Sequence, residues 1–294
     1  MKSEIRFWNR YTNRIEAEAV YGDIWVRLLY RSKSGFLVTH FLLASSWISK
    51  LYGYLQNLAW SRRKITPFIK FFQINMEEFE NCSFRNFNEF FIRKFRPDAR
   101  KFIEEGIPAP TEARYLGYQD ASITPSMPVK GLLLAPKDIL GENKFTAKFI
   151  NGPVLIARLC PVDYHRFHYP VDGNTLSQYR LGNKLHSVNP IALKICPWVF
   201  TINERVVSIL DTKRFGLLAY VEVGALCVGK IVQSHPIDKP FRRGEEKGYF
   251  LFGASTVIVF GEKGRWDISD DILKNTQNGL ETFVRLGDTV AKSH

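Results

Sequence analysis

No Cys-x-x-Cys pair occurs in this chain: its four cysteines, Cys82, Cys160, Cys196 and Cys227, stand far apart. A tetrahedral zinc site and a disulfide scaffold both need clustered cysteines, so neither is expected, and a reduced cytoplasmic setting is the default. Long apolar runs are missing too. The longest, from Phe36 to Ile48, is interrupted by Thr39, His40, Ser45 and Ser46 and falls short of the ~20 residues a spanning helix needs. The first twenty residues are mixed and charged, so no signal peptide is expected. Internal repeats and low-complexity linkers are absent. Acidic residues are the minority, 29 against 41 basic, for a net charge of +12 over 294 residues.

That basic excess calls for an anionic partner, and nucleic acid and anionic lipid both fit it. Its distribution separates them. Residues 1–70 carry twelve Lys/Arg and four Asp/Glu, so +8 of the +12 sits there, in a region also rich in apolar and aromatic residues. Nucleic-acid arms are usually polar and flexible, whereas a basic amphipathic segment lies on a membrane surface. From about Asp23 to Phe79 apolar residues recur at helical spacing, as in Trp25, Leu28, Leu29 and Phe36, and Gly35, Gly53 and Pro67 divide the pattern into short helices. These helices either bury their apolar faces or keep one for lipid, with Phe41, Trp47 and Leu51 as members of a dipping face. Residues 82–97 place Phe84, Phe87, Phe90, Phe91 and Phe95 at near-helical intervals behind Ser83 as N-cap, a stripe that reads as core.

After Pro97 the texture changes. Prolines and glycines become frequent, and short runs rich in Val, Ile, Phe and Tyr replace the helical period: Pro153–Leu159, Ile191–Ile195, Arg205–Leu210, Leu217–Val223 and Phe250–Phe260. The expected fold class is α+β: a helical, basic, membrane-associating region over residues 1–100, then a β-rich catalytic domain over residues 101–294. With 45% hydrophobic and 24% charged residues the composition is that of a globular protein.

Three places in the second part carry candidate chemistry. Asp163-Tyr164-His165-Arg166-Phe167-His168 sets two of the six histidines between Pro161 and Pro170. A His-x-x-His pair can ligate metal, but no third ligand is nearby, and on a regular strand the two rings would point to opposite faces. A packed pair and an acid/base pair remain beside the metal reading. Gly253-Ala254-Ser255-Thr256 is a small-residue step within the apolar run Phe250–Phe260. It is either a bulge whose hydroxyls bond the backbone, or a strained serine presented to chemistry on its own chain. Pro110-Thr111-Glu112-Ala113 carries one carboxylate, which alone reads as a solvated loop residue.

Together these places resemble one family. Phe87-Asn88-Glu89-Phe90-Phe91-Ile92-Arg93-Lys94, Asp163 through His168, Ser187-Val188-Asn189-Pro190, Asn203-Glu204-Arg205, Val223 through Gly229, and Lys247-Gly248 through Thr256 are similar to the ordered motifs of phosphatidylserine decarboxylases, from about residue 20 to the end. The resemblance implies an inactive proenzyme that cuts itself between Ala254 and Ser255 into residues 1–254 and 255–294. Ser255 would become a covalent pyruvoyl group, the cofactor, with no metal and no pyridoxal phosphate. The amine of phosphatidylserine would form a Schiff base with it, and loss of the carboxylate would yield phosphatidylethanolamine. By the same resemblance His168 is the base for Ser255, Glu112 orients His168 where the family usually has Asp, and His165 reprotonates the substrate carbon. Arg166 would steady the lipid's phosphate or carboxylate. The residue before the serine, Ala254, departs from the family's usual Gly. Implied partners are phosphatidylserine, an anionic membrane surface and the two chains of the cut protein, with a homodimer also admitted and nucleic acid not expected. The implied location is peripheral, on the cytoplasmic face of the cell membrane.

Two other classes compete. A lipid-ester hydrolase using Ser255 and His168 lacks the Gly-x-Ser-x-Gly elbow, since position 257 is Val. A non-enzymatic basic membrane module would make the histidine motif structural. Cleavage at Ser255 discriminates all three.

Overall fold

The structure, a computed structural model, describes residues 5–18, 44, 46–80, 83–120, 135–188, 193, 198–226, 230–253 and 255–294. Ala254, the other three cysteines, the stripe from Trp25 to Phe36, Phe41, the side chain of Trp47 and the expected strand Ile191–Ile195, apart from Leu193, lie outside the described residues.

The chain opens with two strands, β1 (Arg6–Asn9) and β2 (Arg14–Ala17), an antiparallel hairpin that turns through Asn13 in the left-handed region. Helices follow: α1 (Ser46–Leu55), a 3₁₀ turn Ala59–Lys64, α2 (Ile65–Phe72) and α3 (Phe87–Phe91). The remainder is mostly β. Its first part holds β3 (Ile107–Pro108), β4 (Ala113–Tyr118), α4 (Pro136–Leu140), β5 (Val154–Leu159), β6 (Arg166–His168) and β7 (Asn174–Leu181). Then come α5 (Val199–Ile202), β8 (Arg205–Thr212), β9 (Gly216–Gly224), β10 (Ile231–Gln233) and β11 (Glu246–Phe250). The chain closes with β12 (Ser255–Gly261), β13 (Trp266–Ile268), α6 (Asp270–Gln277), β14 (Glu281–Val284) and β15 (Thr289–Ser293).

The α+β class therefore holds, with two corrections. Residues 6–17, expected within a helical region, are strands of the main sheet, which runs β2-β1-β14-β4-β5-β12-β9-β8-β7. The β-favouring Phe7, Trp8 and Ile15 and the turn residue Asn13, which takes a positive φ, favour a hairpin there, and Phe7 is buried by it. The helical expectation is met further on, over residues 46–72 and 87–91, where no described helix is long and apolar enough to cross a membrane. The run Phe250–Phe260 is not one strand: β11 ends at Phe250 and β12 begins at Ser255. Gly253 between them has φ of +140°, a conformation L side chains rarely adopt, so the ladder breaks there.

β12 is central, antiparallel to β5 on one side and β9 on the other, and every one of its residues is buried. That explains its continuous apolar texture, because both faces are covered. The two small sheets, β10-β11-β6 and β13-β15-β3, complete the β-rich part. Gly248 lets β10 and β11 close, since a Cβ there would lie 2.1 Å from the Val232 carbonyl oxygen and 2.8 Å from the Phe167 ring. The helices contribute a separate aromatic cluster of Phe68, Phe84, Phe87, Phe90 and Phe91, which Phe252 from the β part joins.

Candidate active site

Ser255 is the first residue of β12, opposite Leu159 of β5 and Gly224 of β9. It has no solvent exposure, and its Oγ has no hydrogen-bond partner among the described residues. Strand alternation puts Ser255, Val257 and Glu222 on one face of the sheet and Thr256, Arg158 and Arg114 on the other. A buried hydroxyl without a partner is costly, about 1–3 kcal/mol, so the bulge reading with a satisfied hydroxyl is not what is found.

The segment before Ser255 is held by α3. Asn86 caps this helix by accepting from the Glu89 amide, and so takes the place expected of Ser83, which sits too far upstream of the first helical residue. Asn88 faces the other way. Its Oδ1 accepts from the Phe252 amide at 3.0 Å, while its Nδ2 donates to the Gly53 carbonyl and to Asn57 Oδ1, both at 2.9 Å. One buried amide thus ties α1, α3 and the approach to Ser255 together. Phe252 packs edge-on against Phe87 and Phe91, at 5.1 and 5.0 Å between ring centres. Arg93, just past α3, donates to the Val162 carbonyl at 2.8 Å and braces the loop that carries Asp163 to His168.

The two histidines occupy different surroundings. His165 lies fully buried against Phe91, 3.9 Å between ring centres, and its Nδ1 donates to the Asp163 carbonyl at 2.9 Å. Its Nε2 faces the backbone of Gly253 without closing a hydrogen bond. Burial, with the nearby Arg93 charge, pushes its pKa down to about 3. His168 ends β6. Its Nδ1 donates to the Gly244 carbonyl at 2.9 Å, and its Nε2 meets the Tyr164 hydroxyl at 3.1 Å. Burial pushes His168 down to about 4. Both rings are neutral at pH 7, which leaves each an Nε2 lone pair.

Glu112 is brought close in backbone but not in side chain. The Pro110 carbonyl accepts from the His168 amide at 2.8 Å, and Thr111 Oγ1 donates to the Arg166 carbonyl at 3.1 Å. The Glu112 carboxylate, however, is paired with Arg100, at 2.6 Å to Nε and 3.0 Å to a terminal nitrogen, and accepts from the Leu286 amide at 3.3 Å. It is not a solvated loop group: burial pushes its pKa up against the pull of Arg100. No described contact joins it to His168, and none joins His168 to Ser255. Where the resemblance implied Glu112 as orienter of His168, a carbonyl, that of Gly244, fills the place. Arg166 is likewise committed, to Glu246 at 2.7 Å and the Ile92 carbonyl at 2.7 Å.

Tyr164, Gly244, Asn88 and Arg100 were not singled out from the sequence as site residues. Asn88 and Tyr164 stand inside quoted motifs, which was the available signal; nothing local marks Gly244 or Arg100. A buried charged cluster was also missed. Arg114 reaches Glu18 at 3.1 Å and Asp163 at 2.6 Å, and Arg158 reaches Glu18 at 2.6 Å and, through Nε, Glu281 at 2.7 Å. Burial opposes the Glu18 charge, but Arg158 and Arg114 outweigh it and hold its carboxyl at about 2. Among the described residues no group of three or more His, Cys, Asp or Glu is placed to hold a metal ion.

A hydrolase displays its nucleophile to incoming substrate, and this fold buries Ser255. What the fold offers is a buried serine whose hydroxyl has no partner among the described residues, with the neutral His165 facing the backbone of Gly253 two residues before it. Comparison with known proteins gives the family. The phosphatidylserine decarboxylase family matches residues 87–292. A phosphatidylserine decarboxylase proenzyme of Clostridium novyi is 38% identical over 290 residues, 97% of this chain and 98% of that protein. Proenzymes of the same name from Chlamydia pneumoniae and Desulfitobacterium hafniense are each 35% identical, covering 98% and 99% of this chain and 97% and 99% of theirs. The chain belongs to the phosphatidylserine decarboxylase family.

Proposed function

We propose that this protein is made as a proenzyme, cuts itself between Ala254 and Ser255, and decarboxylates phosphatidylserine to phosphatidylethanolamine in phospholipid synthesis. The observation that carries the reading is the buried Ser255 Oγ, without a hydrogen-bond partner among the described residues, at the start of a central strand and two residues after a glycine at φ +140°. Such an orphan hydroxyl and a small-residue step fit a residue that is consumed in making a cofactor.

Ser255 Oγ loses its proton to a base and attacks the Ala254 carbonyl carbon; the C–O bond forms, the peptide C–N bond breaks, and the base returns the proton to the departing Ser255 nitrogen. Removal of the Ser255 α-proton then expels the Ala254 carboxylate, and water replaces the nitrogen, which leaves as ammonia. The pyruvoyl group so formed supplies an electrophilic carbonyl that takes up the substrate amine and the electrons released as carbon dioxide departs. His168 is the base, by resemblance. Its Nε2 accepts from the Tyr164 hydroxyl, and rotation of that hydroxyl frees the lone pair while Gly244 keeps the ring oriented. His165, beside Gly253, is by resemblance the group that returns a proton to the substrate carbon; its Nε2 lone pair first takes that proton from the substrate ammonium and then hands it on.

We assign the membrane role to the helices. Leu51, Tyr54, Trp60 and Phe71 are 50–61% exposed, and the exposed Arg62, Arg63 and Lys70 lie among them on the 3₁₀ turn and α2. Each cation near an anionic bilayer contributes about 1 kcal/mol, so this surface suits peripheral attachment where the substrate resides, on the cytoplasmic face of the cell membrane. Replacing Ser255 by Ala tests the whole reading: both cleavage and decarboxylation should be lost, and retained decarboxylation by the intact variant would overturn it.

A further inference from the structure

In the main sheet β1 has two neighbours, β2 of its own hairpin and β14. Among the described residues the backbone of the hairpin is therefore paired to the sheet only through β14, a strand of the segment that follows Ser255, while Phe7 also meets the Arg114 guanidinium of β4. That segment, residues 255–294, holds β12, β13, α6, β14 and β15. β14 would be an edge strand beyond β4 without the hairpin; with it, β14 is paired on both sides, parallel to β1 with Phe7 opposite Glu281 and Asn9 opposite Phe283. Side chains reinforce the ladder. Arg10 forks onto Asp271, at 2.7 and 2.8 Å, and donates to the Thr289 carbonyl at 2.7 Å. The Tyr11 hydroxyl donates to Asp288 and accepts from the Arg285 amide at 2.7 Å. Phe7 and Tyr11 pack edge-on against Phe283. Glu18, just past the hairpin, reaches Glu281 through Arg158.

We propose that the N-terminal hairpin, residues 6–17, is a clamp that keeps the C-terminal chain in place once the backbone is cut before Ser255; the inference rests on that cleavage. An uncut protein has a covalent bond to hold the last 40 residues. A cut one has only contacts, and the forked arginine and the carboxylate-bound tyrosine are of the strong, charge-assisted kind. The parallel pairing also hides an edge that would otherwise be open.

The experiment compares the full-length protein with its Arg10→Ala/Tyr11→Phe variant, confirmed as folded by circular dichroism. Native mass spectrometry in mild urea follows release of the 255–294 chain. Hydrogen exchange follows the amides of β14 in the same proteins and in a Ser255→Ala background, where the chain stays whole. Release should be on the order of tenfold faster in the variant, and β14 should lose protection in both backgrounds. Equal release rates with unchanged β14 protection would overturn the clamp. Should no cut chain be found at all, the proposed function fails, and exchange in β14 still decides whether the hairpin holds this segment.

Discussion

At the scale of single residues, the account turns on how two imidazoles and one carboxylate are held. The Gly244 carbonyl orients His168 from behind, and Glu112 is occupied by Arg100. Where a carboxylate does orient a catalytic histidine, exchanging it for the amide costs about 10⁴-fold. Here Glu112→Gln should slow self-cleavage only about tenfold, because Glu112 does not touch the ring, whereas His168→Gln should abolish it, as read by the appearance of two chains on a denaturing gel. A loss in Glu112→Gln as deep as in His168→Gln would place Glu112 back on the imidazole. The histidines also set a pH dependence. Their folded values, about 4 for His168 and about 3 for His165, lie below the ordinary ~6.5, so below that pH protons bind the unfolded chain first. Folding stability should hold above about pH 6.5 and fall, by up to ~1.4 kcal/mol per pH unit for each ring, as pH drops from there towards 4. Urea unfolding at several pH values measures this; a flat profile between pH 7 and 4 would show that the rings are not held neutral. With His168 as the proposed base, cleavage should fade only as pH falls through about 4.

At the scale of elements, α3 does more than fill the core. Its phenylalanines were legible as a helical stripe, and they do pack as one cluster. What the stripe could not reveal is that Asn88, the polar member among them, bonds the backbone of Phe252 across 164 residues of chain. A period-3.6 pattern reports which face is buried and not which distant amide it meets. Asn88→Ala should cost roughly 2–4 kcal/mol, since three buried hydrogen bonds go and their partners are left unsatisfied, and it should slow cleavage by loosening the approach to Ser255. Unfolding in a Ser255→Ala background isolates the stability part; a change under about 0.5 kcal/mol would mean those bonds are not formed. The runs Pro153–Leu159, Arg205–Leu210 and Leu217–Val223 were legible as strands and match β5, β8 and β9 within a residue or two at each end. The break within Phe250–Phe260 was legible only as the small-residue step at Gly253-Ala254-Ser255, because a glycine's positive φ leaves no periodic trace.

At the scale of the whole molecule, the sequence divided cleanly by texture, helices before Pro97 and strands after, yet the first strands of the sheet come from the N-terminus. Long-range pairing of that kind, β1 with β14 some 270 residues away, is set by tertiary contacts and is invisible to local patterns. The same limit hid the cluster of Glu18, Arg114, Arg158, Asp163 and Glu281, whose members are scattered along the chain. The basic excess was legible, and part of it maps to Arg62, Arg63 and Lys70 beside exposed Trp60 and Phe71. Changing these three cations to Gln should weaken binding to vesicles containing phosphatidylserine by about 3 kcal/mol, on the order of a hundredfold, with little effect on neutral vesicles. Equal sedimentation of variant and parent with anionic vesicles would move the membrane contact elsewhere.

The central claim is that Ser255 is spent to make the cofactor, and intact-mass measurement of the purified protein tests it most directly. The account predicts two chains, residues 1–254 and 255–294, the smaller of about 4.6 kDa by its 40 of 294 residues in a 34.0 kDa chain, with a pyruvoyl group in place of a free amino terminus. A single intact chain with an unmodified Ser255, in a preparation that decarboxylates phosphatidylserine, would contradict it.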